Sequence, residues 1–75
     1  MQDRGCFSIA GEFFRYELRE RTPLQIQVQL ERDSDGLIRE VLLCPHANAL
    51  RDLCGFVRDR LNLELTRTRF EDLPN

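Results

Sequence analysis

The sequence contains no lysine and no tryptophan, and it has a single histidine, a single methionine and a single tyrosine. All eleven of its basic residues are therefore arginine. A guanidinium is planar and permanently charged, which favours carboxylate or phosphate partners over loose solvation. Thirteen acids outnumber these bases, giving a net charge of −2, and that balance excludes the broad basic field on which non-specific duplex binding depends. The three cysteines are odd in number and irregularly spaced, so they do not form a disulfide framework. Reduced thiols and a cytoplasmic location are expected. No apolar run approaches the roughly 20 residues needed to cross a bilayer, so no membrane association is expected. The opening MQDRGCFSIAGEF has no positive segment ahead of an apolar one and is not read as a signal peptide. Repeats, low-complexity tracts and linkers are also missing. A chain of 75 residues then reads as one small domain spanning 1–75.

The residues that are present argue for a folded domain rather than disorder. Hydrophobic residues make up 41% of the chain and charged ones 32%, and the apolar positions recur with a period. In LQIQVQLE, Leu24, Ile26, Val28 and Leu30 alternate with Gln25, Gln27, Gln29 and Glu31, the pattern of a half-buried strand. Pro23 stands at its start, where a missing amide donor is tolerated. Upstream, Phe14, Tyr16 and Leu18 alternate with Phe13, Arg15, Glu17 and Arg19. Phe7 and Ile9 alternate in the opposite phase, which predicts a bulge or bend at Ala10-Gly11. RDSDG, residues 32–36, reads as a hairpin loop in which Gly36 takes positive φ.

The next segment, LIREVLLC, is apolar on both sides: Leu37, Val41 and Leu43 point one way, Ile38 and Leu42 the other. A strand of this kind is normally covered on both faces, and one helix covers only one. Pro45 suits a first helical turn. After it, Leu50, Leu53, Cys54, Val57 and Leu61 make an apolar stripe at helical spacing, with Arg51, Asp52, Arg58 and Asp59 opposite. Gly55 within the stripe suggests a close approach to the sheet, since glycine there costs about 1 kcal/mol relative to alanine. Residues 63–70 read as a short further strand and EDLPN as a frayed end. The expected fold is α+β: a small antiparallel sheet of three to four strands with one amphipathic helix packed on one face. Its core is expected to comprise Phe14, Tyr16, Leu18, Leu24, Ile26, Val28, Leu30, Val41, Leu43 and the helical stripe.

Candidate chemistry is sparse. Cys44, His46 and Cys54 would have to surround one zinc ion with ligands at roughly 2.0–2.3 Å. A helix beginning near His46 places Cys54 roughly 12 Å further along its axis, so the three do not converge. A Cys44–His46 nucleophile pair would be separated by the turn at Pro45 and would have no third group to orient the imidazole; a capping or surface histidine is the expected role. DSDG does not fit a calcium loop, since counting from Asp33 puts the glycine fourth rather than sixth and Cys44, not a glutamate, twelfth. No phosphate-cradling glycine motif and no acid/base pair stands out. The expectation is a protein that is not an enzyme and needs no metal or cofactor.

What remains is a surface. With the helix on one sheet face, Gln25, Gln27 and Gln29 look outward, joined by Phe13, Arg15 and Arg19 of the neighbouring strand. Such a face suits a protein partner, or the stacking and tracking of single-stranded nucleic acid. The two-faced strand adds Ile38 and Leu42 as a self-association surface. Across residues 7–61 the order of elements resembles the single-strand-binding domains of the transcriptional-coactivator and purine-rich-element binder type. That resemblance implies a curved antiparallel sheet ahead of a helix, and nucleic acid on the open face. It is one of order and length, without a shared motif, and the missing lysine and the negative net charge depart from it. The first reading is a small non-catalytic regulator or adaptor that binds another protein, including a second copy of itself; the second is a single-stranded nucleic-acid binder.

Overall fold

The computed structural model describes residues 4–22 and 24–74. Four strands, β1 (Arg4–Ile9), β2 (Glu12–Arg21), β3 (Ile26–Arg32) and β4 (Ile38–Leu43), form an antiparallel meander in chain order. A 3-10 turn (Ala47–Asp52) leads into the helix α1 (Leu53–Arg67), and a second short turn, Phe70–Asp72, follows it. The α+β fold with one helix over one sheet face is as the sequence predicts. The fourth strand, however, comes from the N-terminal end. Residues 63–67, expected to be extended, continue the helix.

The phase change at Ala10-Gly11 is a chain reversal and not a bend within one strand. Ala10 (φ 52) and Gly11 (φ 80) both occupy the left-handed region, as a two-residue hairpin turn matched to sheet twist requires. Reversal pairs odd residues with even ones, Phe7 with Phe14 and Gly5 with Tyr16, so the two opposed phases put their apolar side chains on one face. The sheet's irregularity lies instead at Arg19, where the register between β2 and β3 shifts. Alanine is disfavoured at positive φ by about 1 kcal/mol or more. Ala10→Asn, which creates the preferred Asn-Gly turn, should therefore raise the melting temperature by several degrees. An unchanged or lower value in a thermal melt would refute this turn assignment.

β3 begins at Ile26, two residues later than the alternation suggests. Thr22 intervenes: its Oγ1 accepts from the amides of Leu24 (3.2 Å) and Gln25 (2.9 Å), holding both in a loop. Leu24, placed in the core by its period, is 74% exposed there. Pro23 lies outside the described residues. The β3–β4 loop closes on Asp35, whose Oδ1 accepts from the Leu37 amide at 3.0 Å, with Gly36 at φ 72.

The core lies between the sheet and α1. Phe7, Phe14, Tyr16, Leu18, Ile26, Val28, Leu30, Val41 and Leu43 face Leu53, Val57 and Leu61. His46 caps the first turn, its Nδ1 accepting from the Ala49 amide at 3.2 Å. Asp52 caps α1 through the Gly55 amide at 3.0 Å. A Cβ on Gly55 would come within 2.3 Å of that carboxylate, so the glycine makes room for the cap and not for the sheet. Leu50, expected in the apolar stripe, is 56% exposed while Ala49 is buried, and Cys54 is only half-buried. Three residues per turn in the 3-10 segment, against 3.6 in the helix, rotate the stripe between the two.

The described C-terminal residues, through Pro74, are docked, not frayed, and Asn75 lies outside the described residues. Phe70 is buried with its ring 5.1 Å from that of Phe14, Leu73 is buried, and the Pro74 carbonyl accepts from the Glu40 amide of β4 at 2.7 Å. Arg32 locks this arrangement. Its guanidinium lies 5.1 Å over the Phe70 ring and pairs with Asp35 (2.6 Å) and Glu71 (2.5 Å), leaving the side chain only 13% exposed. These contacts push the Asp35 carboxyl down to about 2, through its hydrogen bonds to Arg32 first and the Leu37 amide second. Glu71 is lowered likewise by Arg32.

Both acids therefore sit below their unfolded values of about 3.9 and 4.3. The stability they contribute is complete above those values and is lost as pH falls from about 4 toward 2. Both carboxylates are half-exposed, so solvent keeps the effect modest. Denaturant midpoints measured over this interval should fall more steeply for the native chain than for Arg32→Gln. Equal slopes would show that Arg32 does not set these acidities.

Candidate functional site

The sheet face opposite α1 is open, and strand alternation decides what it displays. Two complete cross-strand rows occupy it. One runs Cys6, Arg15, Glu31, Ile38 from β1 to β4; the next runs Arg4, Glu17, Gln29, Glu40. Cys6, Arg15 and Glu31 of the first row border a shallow depression of about 450 Å³ that also reaches Arg4, Glu17 and Gln29.

Of the residues nominated from sequence, Arg15, Gln27 and Gln29 lie within this face, and Phe13 stands at its end, 66% exposed. Arg19 falls at the register shift and donates to the Gln29 side-chain oxygen. Gln25 is not part of the face: the Thr22 loop holds it before β3, its carbonyl accepting from the Thr22 amide at 2.8 Å. Ile38 and Leu42 both lie on β4 toward the open side, Leu42 being 57% exposed. The tail covers β4 along its edge at Glu40, but leaves these two side chains exposed.

Sequence reasoning passed over the acidic half of the face. Glu31 has the same parity as Gln27 and Gln29, and Glu40 stands between Ile38 and Leu42, so alternation could have found both. These acids change the electrostatics. Arg15 pairs with Glu31 at 3.4 Å and Asp33 at 3.7 Å, and the Glu40 carboxylate accepts from the Gln27 amide group at 2.7 Å. Against Arg4, Arg15 and Arg19 stand Glu17, Glu31, Glu40 and, at the end of the face, Asp33. The face is strongly polar yet close to neutral.

The free thiol of Cys6 is exposed on this face, while the residues weighed for metal or nucleophilic chemistry lie elsewhere and apart. Cys44 is exposed just beyond β4 and Cys54 lies within α1. His46 between them is occupied in capping and meets the Phe56 ring edge-on at 5.8 Å. Among the described residues, no group of three or more His, Cys, Asp and Glu side chains is placed to hold a metal. Tyr16 is buried in the core, and that burial raises its phenol, with Arg58 partly offsetting this. Among the described residues no helix is long and apolar enough to cross a membrane. Comparison of the chain with protein-family models, with curated proteins and with solved structures finds no match.

Proposed function

We propose that this chain is a small non-catalytic regulatory or adaptor protein of the cytoplasm that works by binding another protein through its open sheet face. One observation carries the reading: arginines and glutamates on that face balance one another beside exposed Phe13, Ile38 and Leu42. A mixed surface of opposed charges with apolar and aromatic contacts suits a protein partner. Tracking a single strand of nucleic acid calls for a groove of uncompensated positive charge alongside stacking aromatics. Here the guanidinium of Arg15 already faces two carboxylates, and among the described residues Phe13 has no second exposed aromatic beside it on the sheet.

Titration of a labelled single-stranded oligonucleotide at two salt concentrations tests this ordering. The expected result is no binding tighter than about 10⁻⁶ M at physiological salt, with little gained at low salt. Tighter binding that falls steeply with salt and is weakened by Phe13→Ala would establish the nucleic-acid reading instead.

A further inference from the structure

We infer that the partner of the open face is a second copy of this chain, packed sheet against sheet about a two-fold axis that runs along the strands. The inference rests on the protein-binding reading and adds the identity and geometry of the partner. A two-fold interface is self-complementary: each residue must suit the one brought onto it by the rotation. An axis parallel to the strands, on the midline between β2 and β3, reverses every cross-strand row onto itself. The row Cys6, Arg15, Glu31, Ile38 then meets its own reverse. Cys6 falls on Ile38, a small thiol against an apolar side chain, and Arg15 falls on Glu31. The row Arg4, Glu17, Gln29, Glu40 does the same, setting Arg4 on Glu40 and Glu17 on Gln29. No like charges meet in either row. The other in-plane axis, perpendicular to the strands, would exchange the two rows, setting Ile38 on Glu40 and Glu31 on Gln29. It keeps one opposite-charge match, Arg15 on Glu17, where the first axis makes two, Arg15 on Glu31 and Arg4 on Glu40, and it leaves the apolar Ile38 against a carboxylate.

Each contact occurs twice by symmetry, so Arg15 and Glu31 contribute four charges at the middle of the interface. They are exposed enough to be shared: Arg15 retains 59% of its side-chain surface and Glu31 retains 37%. Strands about 4.8 Å apart and about six residues long at 3.3 Å per residue offer roughly 400 Å² of planar face in a four-stranded sheet. That is about half a standard interface per partner, so dimerisation in the micromolar range is expected.

Charge-swapped chains test the pairing. Sedimentation equilibrium of the native chain should show a monomer–dimer equilibrium at micromolar concentrations. Arg15→Glu alone and Glu31→Arg alone, each confirmed as folded by circular dichroism, should each weaken dimerisation about tenfold or more, because each sets like charges together twice. An equimolar mixture of the two variants should recover the dimer, since both of its Arg15–Glu31 contacts are then between opposite charges. That recovery is intermolecular by construction, and the pair within each chain cannot produce it. A native chain that is monomeric throughout, a dimer indifferent to both substitutions, or a mixture that fails to recover would each overturn the proposal. None of these would touch the broader protein-binding reading, which the oligonucleotide titration tests separately.

Discussion

Replacing Phe70 with alanine should lower the free energy of unfolding by about 3–5 kcal/mol, the range for truncating a buried aromatic. Phe70 follows the helix, at the end of a stretch whose sequence reads as a short strand, yet it lies in a 3-10 turn, is 5% exposed, and its ring meets both Phe14 and the Arg32 guanidinium. Its loss leaves a cavity against Phe14 and strips the apolar support from Arg32. A chain of this size has roughly 4–11 kcal/mol of total stability at 0.05–0.15 kcal/mol per residue, so this one substitution removes a large share of it, and at the lower end of that range brings the chain to its unfolding midpoint at room temperature. Urea titration measures the change. A loss below about 0.5 kcal/mol, typical of a surface position, would mean that the tail is not docked.

Leu61→Ala should cost about 2–5 kcal/mol, while Leu50→Ala should cost under about 0.5 kcal/mol. Both leucines belong to the same apolar stripe in the sequence, and a continuous α-helix would bury both. Leu61 is fully buried; Leu50 is not. The difference arises because residues 47–52 wind as a 3-10 turn capped by His46, and α1 restarts from the Asp52 cap. Parallel urea titrations of the two variants give the contrast directly. Equal losses at the two positions would show that the helical stripe runs unbroken through Leu50.

Much of the fold was legible because local periodicity carries burial. The alternation of Phe14, Tyr16 and Leu18, and of Ile26, Val28 and Leu30, marks the same side chains that lie in the core. The spacing of Leu53, Val57 and Leu61 marks the buried line of α1. Misreadings fall where a short-range hydrogen bond overrides the period. Thr22 holds Leu24 and Gln25 in a loop, His46 and Asp52 set the winding of the first turns, and Ala10-Gly11 reverses the chain where a bend was expected. Each depends on backbone geometry at one or two residues, to which a pattern of apolar positions is blind.

The open face divides in the same way. Parity alone puts Phe13 and Arg15 on one side of their strand, and Gln27, Gln29 and Glu31 on one side of theirs; it was sufficient to nominate the surface. Which residues stand opposite each other is a matter of register, and register follows from turn length and from the shift at Arg19. Only the folded sheet therefore sets Arg15 beside Glu31 and Glu17 beside Gln29, and turns a set of arginines into a balanced face. The docking of Phe70 is likewise tertiary: its partners Phe14 and Arg32 lie in strands far earlier in the chain. The sequence by itself determined the class of elements and their apolar sides, because those depend on neighbours two to four residues away. The pairing of charges on the open face and the closure of the tail rest on contacts between distant segments, and the tertiary structure alone decided them.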